Sequence, residues 1–300
     1  MKISNGFSVL SILTLTVLLT ACGLHKDLIK QKAQRIAHPA LMIERVIATP
    51  PYAVTTFERM HERGAPAHIY IGDDAIGHNA VTFNVDTNTQ DYAVAFHLAS
   101  RDKAENVAYI ALPCQYSGLL ENGKDCSAHS RDNQAEFTSA INNAIGNIKA
   151  TYGLTDIHLI GYGSGANIAA RIAGARQDVR TLRTVSGVLE HSPYTVPRAS
   201  FARLQHIPQY HYIGLDDGGT ITNSLAAYKA KFADDYCLKT TTVLETGYEA
   251  GWANRWNALI TQPLTCARVT NDYDAINLDY TPVRTPPKTG WLPDSYKVKP

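Results

Sequence analysis

Charge is scarce in this sequence, and what there is cancels. Asp, Glu, Lys and Arg make up 18% of the 300 residues, and 28 basic against 27 acidic side chains leave a formal net charge of +1. Such a balance gives no electrostatic footprint for nucleic acid or for an anionic membrane surface. Metal-binding spacings are missing as well. There is no Cys-x-x-Cys and no His-Glu-x-x-His, His61 and His68 stand seven positions apart, and the acidic residues follow no calcium-loop pattern. No cofactor and no metal is expected. Histidine runs out early, since none of the eleven follows His211. Internal repeats are absent too. What is abundant is apolar residues, at 45%, which excludes a disordered chain and allows a sizeable core.

The longest apolar run lies at the start. Met1 to Ala21 carries one charge, Lys2, and an apolar stretch from Phe7 to Leu19. That stretch is short of the roughly 20 residues a membrane-spanning helix prefers, and it reads as the hydrophobic region of a secretory signal peptide, residues 1–21. It ends in Leu19-Thr-Ala-Cys22, which resembles the lipobox of bacterial lipoproteins. The resemblance implies that Cys22 becomes the first mature residue and carries the lipid, here expected to be a palmitate-type acyl chain. Gly23 after it implies sorting to the outer membrane, with the domain facing the periplasm. An uncleaved membrane helix with a chance cysteine is the alternative. Residues 22–47 then form a tether and N-terminal helix, in which Leu28, Ala33 and Ile36 share a face.

An oxidising compartment changes how the other four cysteines read. Cys114, Cys126, Cys237 and Cys266 can pair in three ways. Cys114 with Cys126 and Cys237 with Cys266 are favoured because each pair closes a local loop.

Along residues 48–266, short apolar runs alternate with helical patterns. Strands are expected at Tyr52–Phe57, His68–Ile71, Val107–Leu112, Ile157–Ile160, Leu182–Leu189, Tyr210–Leu215 and Thr241–Leu244. Helices are expected at Tyr92–Ser100, Asp132–Tyr152, Ala166–Ala175, Ile221–Phe232 and Trp252–Ile260. The longest helix places Phe137, Ile141, Ala144, Ile145 and Ile148 on one face, with Asp132 as N-cap and Gly153 as stop. This alternation predicts an α/β fold, a mostly parallel sheet with helices on both faces. Residues 267–300 depart from it. They hold five of the fourteen prolines together with Tyr273, Tyr280, Trp291 and Tyr296, so an extended tail is expected, either a strap over the domain or an arm for a protein partner.

Chemistry would be expected at His158-Leu-Ile-Gly-Tyr-Gly-Ser-Gly-Ala-Asn167, where a buried strand turns into a helix through a glycine-rich corner. The segment looks like the nucleophile elbow G-x-S-x-G of the α/β-hydrolase fold. Gly161 and Gly165 take the outer glycine positions, which leaves Gly163 where the serine belongs and puts Ser164 one place late. The acid in chain order is Asp217, at the end of a strand. The base should follow it, yet Tyr248 occupies that place in Gly247-Tyr-Glu-Ala-Gly-Trp252, and a phenol with a free pKa near 10 is a poor general base at neutral pH.

Ala48-Thr-Pro50, Ala111-Leu-Pro-Cys-Gln-Tyr116, Cys126, Leu182-Arg-Thr-Val185 and Gly251-Trp-Ala-Asn-Arg-Trp256, with the strand before the corner, resemble segments of a bacterial family of α/β-hydrolase-fold envelope lipoproteins. In that family the elbow typically reads G-Y-S-G-G-G, and a glycine-acidic loop lies where this chain has Ile71-Gly-Asp-Asp-Ala75. The departures fall on the chemistry and the matches on the scaffold, which implies a degenerate, non-catalytic member. Loss of either nucleophile or histidine in a serine hydrolase costs roughly 10⁶ in turnover, and an oxyanion hole alone leaves only about 10³ to 10⁴ over water. The expected function is a binding or scaffold component of the cell envelope with an unknown ligand. The alternative is an ester or amide hydrolase using Ser164 with a histidine from elsewhere, His78, His129, His191, His206 or His211.

Overall fold

The computed structural model of the chain describes residues 31–72, 93–113, 115–116, 134–192 and 194–266. Eight strands form one sheet: β1 (Ile43–Thr49), β2 (Tyr52–Met60), β3 (Ala67–Ile71), β4 (Asn106–Ile110), β5 (Ile157–Tyr162), β6 (Val179–Val185), β7 (Gln209–Gly214) and β8 (Leu238–Val243). Their spatial order is β1-β2-β4-β3-β5-β6-β7-β8. The β1–β2 and β2–β4 pairs are antiparallel and the remainder are parallel. The five main helices are α1 (Val94–Arg101), α2 (Gln134–Tyr152), α3 (Gly165–Ala175), α4 (Gly218–Lys229) and α5 (Trp252–Ile260).

Burial explains the layering. Apart from His68 and His158 near their starts, residues along β3 and β5 are buried on both faces and mostly apolar, as a strand covered by helices on each side requires. Ile69, Ile71, Leu159 and Leu182 meet Ile141 and Ile145 of α2, Ile168 of α3 and Tyr228 of α4 in one core. Tyr70, Tyr109, Ile160 and Tyr212 face the other way, against Phe96 of α1, Trp252 and Trp256 of α5, and Ala33 and Ala37 of the helical residues 31–37. Aromatic rings dominate that second layer. Phe96 stacks on Tyr109 at 4.5 Å, and Trp256 stands edge-on to Tyr70 and Tyr212 at 6.0 and 6.1 Å.

The α/β architecture expected from the sequence is the one found, with α5 on its expected residues. Several ends differ for physical reasons. β6 begins at Val179 and stops at Val185, short of Leu189, because Ser186 turns the backbone at φ 46°. β8 begins at Leu238, where few apolar residues announce an edge strand. β1 was not expected at all and takes residues assigned to the tether; at the sheet edge it leaves Ile43 and Val46 exposed, so no apolar period marks it. Gly153 does stop α2, at φ 68°. Asp132 lies outside the described residues, as do residues 1–30, Cys114, Cys126 and the tail from Ala267. Cys237 and Cys266 form a disulfide.

Candidate functional site at the strand-to-helix corner

The corner after β5 is shaped by three glycines, two of which are fixed by close approach. A Cβ on Gly161 would lie 2.5 Å from Ala166 Cα, and one on Gly165 would lie 2.0 Å from Gly72 O. These contacts clamp the first turn of α3 against β5 and the end of β3. The residue between them at the apex, Gly163, has φ 55°, the left-handed region that costs a residue with a Cβ about 1–2 kcal/mol. Its N–H donates to Val185 O at 3.1 Å, and its carbonyl accepts from Val188 and Ala166. Ser164 has already entered the helical region at φ −68°, ψ −26°, where it stands at the N-cap of α3 without making a side-chain cap bond. Ser164 is fully buried.

Asp217 closes the neighbouring turn, after β7. Its Oδ2 accepts from Gly214 N–H at 2.7 Å and its Oδ1 from Ser186 Oγ at 3.0 Å. Burial raises its pKa despite those two bonds. Ser186 is itself buried and held at φ 46°, with its N–H on Tyr212 O at 2.9 Å. Sequence reasoning missed Ser186; the only signal was a small residue at the end of β6, in chain order between the corner and the acid.

Tyr248 lies in the loop after β8. The Tyr162 hydroxyl donates to its carbonyl, and the two rings pack 5.4 Å apart. Gly251 at φ 85° lets this loop fold back, since a Cβ there would sit 2.2 Å from Glu245 O, and the Trp252 indole N–H ties it down on Gly247 O. Gly163, Ser164, Ser186, Asp217 and Tyr248 therefore all follow the carboxyl ends of strands β5 to β8, the edge at which open α/β sheets take ligands.

The candidate histidines are used elsewhere or lie outside view. His78 and His129 are outside the described residues. His191 is exposed, with its N–H on Tyr194 O. His206 bonds Gln205. His211 points into the α2–α4 side of the sheet, where its Nδ1 meets Thr184 Oγ1 at 2.8 Å and burial lowers its pKa to about 3. Among the described residues, the imidazole bonded to a carboxylate is His68, 2.6 Å from Asp102. That carboxylate also accepts from Tyr70, whose oxygen in turn accepts from the Trp256 indole N–H. Burial alone would raise Asp102, but the bonds and charge from His68 hold it below the usual carboxylate range. Among the described residues no three His, Cys, Asp or Glu side chains gather as a metal site, and no helix is long and apolar enough to cross a membrane.

No protein-family model matches the sequence, and no curated protein matches it either. Solved structures do. A putative hydrolase from Bacillus subtilis superposes with a TM-score of 0.53 at 9% identity, covering 79% of this chain and 97% of its own. Naproxen esterase, also from Bacillus subtilis, gives 0.53 at 8% identity, covering 79% and 95%. A membrane phospholipase A described as a bacterial virulence factor gives 0.51 at 13%, covering 83% and 97%. At such identities the likeness establishes the fold alone: the chain has the α/β-hydrolase fold.

Proposed function

We propose that this chain is a lipid-anchored protein of the cell envelope, held through Cys22 in the outer membrane, whose α/β-hydrolase-like domain binds or scaffolds instead of hydrolysing. One observation carries the non-catalytic part. The left-handed apex of the corner, the place where the hydrolase elbow holds its strained serine, is occupied by Gly163, which offers no nucleophile. Two further features support it. Asp217 is engaged by Ser186 and Gly214, and the loop position expected to supply the base presents Tyr248. The corner keeps its architecture, with Gly163 and Tyr248 at the positions expected of nucleophile and base. Its ligand or partner, engaged at this edge or through residues 267–300, belongs to the proposal.

A fluorophosphonate probe tests the catalytic question on detergent-solubilised, full-length protein. No labelling is expected. Labelling that disappears in Ser164→Ala overturns the non-catalytic role and establishes a serine hydrolase with a rearranged site. The anchor has its own readout in the same preparation: metabolic labelling with a palmitate analogue is expected in the wild type and absent in Cys22→Ala. A wild-type protein that takes up no lipid and leaves the membrane fraction in salt overturns the anchoring.

A further inference from the structure

At the opposite end of the sheet, on the α1/α5 face, polar side chains line up across three adjacent strands. His68 of β3 pairs in register with His158 of β5, and His158 with Thr181 of β6. The two imidazoles pack edge to face, 5.1 Å apart. Each has its Nδ1 fixed, His68 on Asp102 at 2.6 Å and His158 on Thr181 Oγ1 at 2.8 Å. All three side chains are partly open to solvent.

One pleat further along β6 stands Arg183, only 7% exposed. A buried guanidinium needs a counter-charge, because desolvating an unpaired charge costs several kcal/mol. Among the described residues no acidic side chain pairs with it. Its Nη2 donates to the Gln262 carbonyl at 2.9 Å, the Tyr212 hydroxyl lies beside it, and its Nε, fully buried, has no partner. The carbonyl just past the end of α5 offers a partial negative pole, not a full charge. The carboxylates nearby are already committed: Asp102 to His68 and Tyr70, and Asp156 to Arg180 at 2.9 Å. His158 feels this surplus of positive charge. Burial, then the charges of His68 and Arg183, lower its pKa to about 4.

We infer that Arg183, His158 and His68 form a binding site for a small oxyanion, a carboxylate or phosphate group, at the amino-terminal edge of the parallel strands. The guanidinium offers its unpartnered Nε–H and an Nη N–H not spent on Gln262 to such a group, each imidazole adds an Nε2–H donor from the solvent side when protonated in the bound state, and Asp102 holds the His68 ring in place. This site is separate from the strand-to-helix corner and stands whether or not that corner is catalytic.

The experiment follows the imidazole resonances of detergent-solubilised, full-length protein by NMR while inorganic phosphate, or in a second series acetate, is added against chloride at matched ionic strength. Saturable shifts of the His158 and His68 rings are expected, with the His158 pKa moving upward in the bound state. The more effective series assigns the ligand class. Arg183→Gln is expected to weaken the response at least about tenfold, as removal of charge-assisted bonds should. Should that variant fail to fold, Arg183→Lys keeps the charge and loses the fork, and is expected to bind several-fold more weakly. If neither anion moves the two rings beyond the chloride control, or if the folded Arg183 variants respond as the wild type does, the site does not exist.

Discussion

A methyl group at position 165 would meet Gly72 O at 2.0 Å and Ile71 O at 2.6 Å, backbone atoms that cannot swing aside as a side chain can. Gly165→Ala is therefore expected to cost about 3 kcal/mol through forced separation of α3 from β3, read as a lowered urea midpoint. Gly163→Ala should cost less, about 1–2 kcal/mol, from backbone strain at its positive φ. Equal midpoints for Gly165→Ala and wild type would mean that the helix does not sit on the strand end as described. These glycines were legible in the sequence because a strand-to-helix turn demands small residues at fixed spacing. Ser186 was not, since its importance lies in a backbone angle and in a partner thirty-one positions away, neither of which has a local signature. Arg183 was equally hidden: in the sequence it is one of two arginines in a strand that also carries two threonines, and only the sheet register, which sets it opposite Ile160, brings it within one pleat of His158.

Elements in the middle of the sheet were easier to read than those at its edges. β5 is an apolar run flanked by turn residues, and α2 shows its helical period because one face is buried in the core. β1 and β8 are edge strands, with burial patterns that are mostly exposed or half-exposed, so their sequences carry little of the alternation that announces a strand. One edge is reinforced covalently. The Cys237–Cys266 bridge ties the residue before β8 to the stretch that follows α5, across a separation of 29 residues. Closing a loop of that size stabilises the folded chain by about 3–4 kcal/mol on the chain-entropy account. Cys237→Ala with Cys266→Ala is expected to lower the guanidinium midpoint accordingly while leaving the far-ultraviolet circular dichroism unchanged. A midpoint matching the wild type would show that the bridge does not constrain the unfolded chain.

At the scale of the whole molecule, two imidazoles among the described residues are held neutral by burial. His211, facing Thr184 and Tyr228 with Lys229 nearby, has its pKa lowered to about 3, and His158 to about 4. Both values lie below the roughly 6.5 of an unfolded histidine, so between the two the unfolded chain binds more protons and stability falls as pH falls. Each group contributes a slope of up to about 1.4 kcal/mol per pH unit between roughly pH 6 and 4. Asp178 adds to the loss further down: burial would raise it, but Arg176 and Lys149 bring it to about 2, so its contribution fades as pH drops from about 4 to 2. The melting temperature is expected to decline steadily below pH 6, and His211→Leu should flatten that decline. A melting temperature constant from pH 7 to 4 would contradict the buried, neutral imidazole. The bare apex at Gly163 bears on durability in another way. Enzymes commonly trade robustness for turnover, storing tension in the residue that reacts, whereas a left-handed glycine stores none. With glycine at its apex this bend is a relaxed joint, and Gly163→Ser would introduce tension there before it supplied any chemistry.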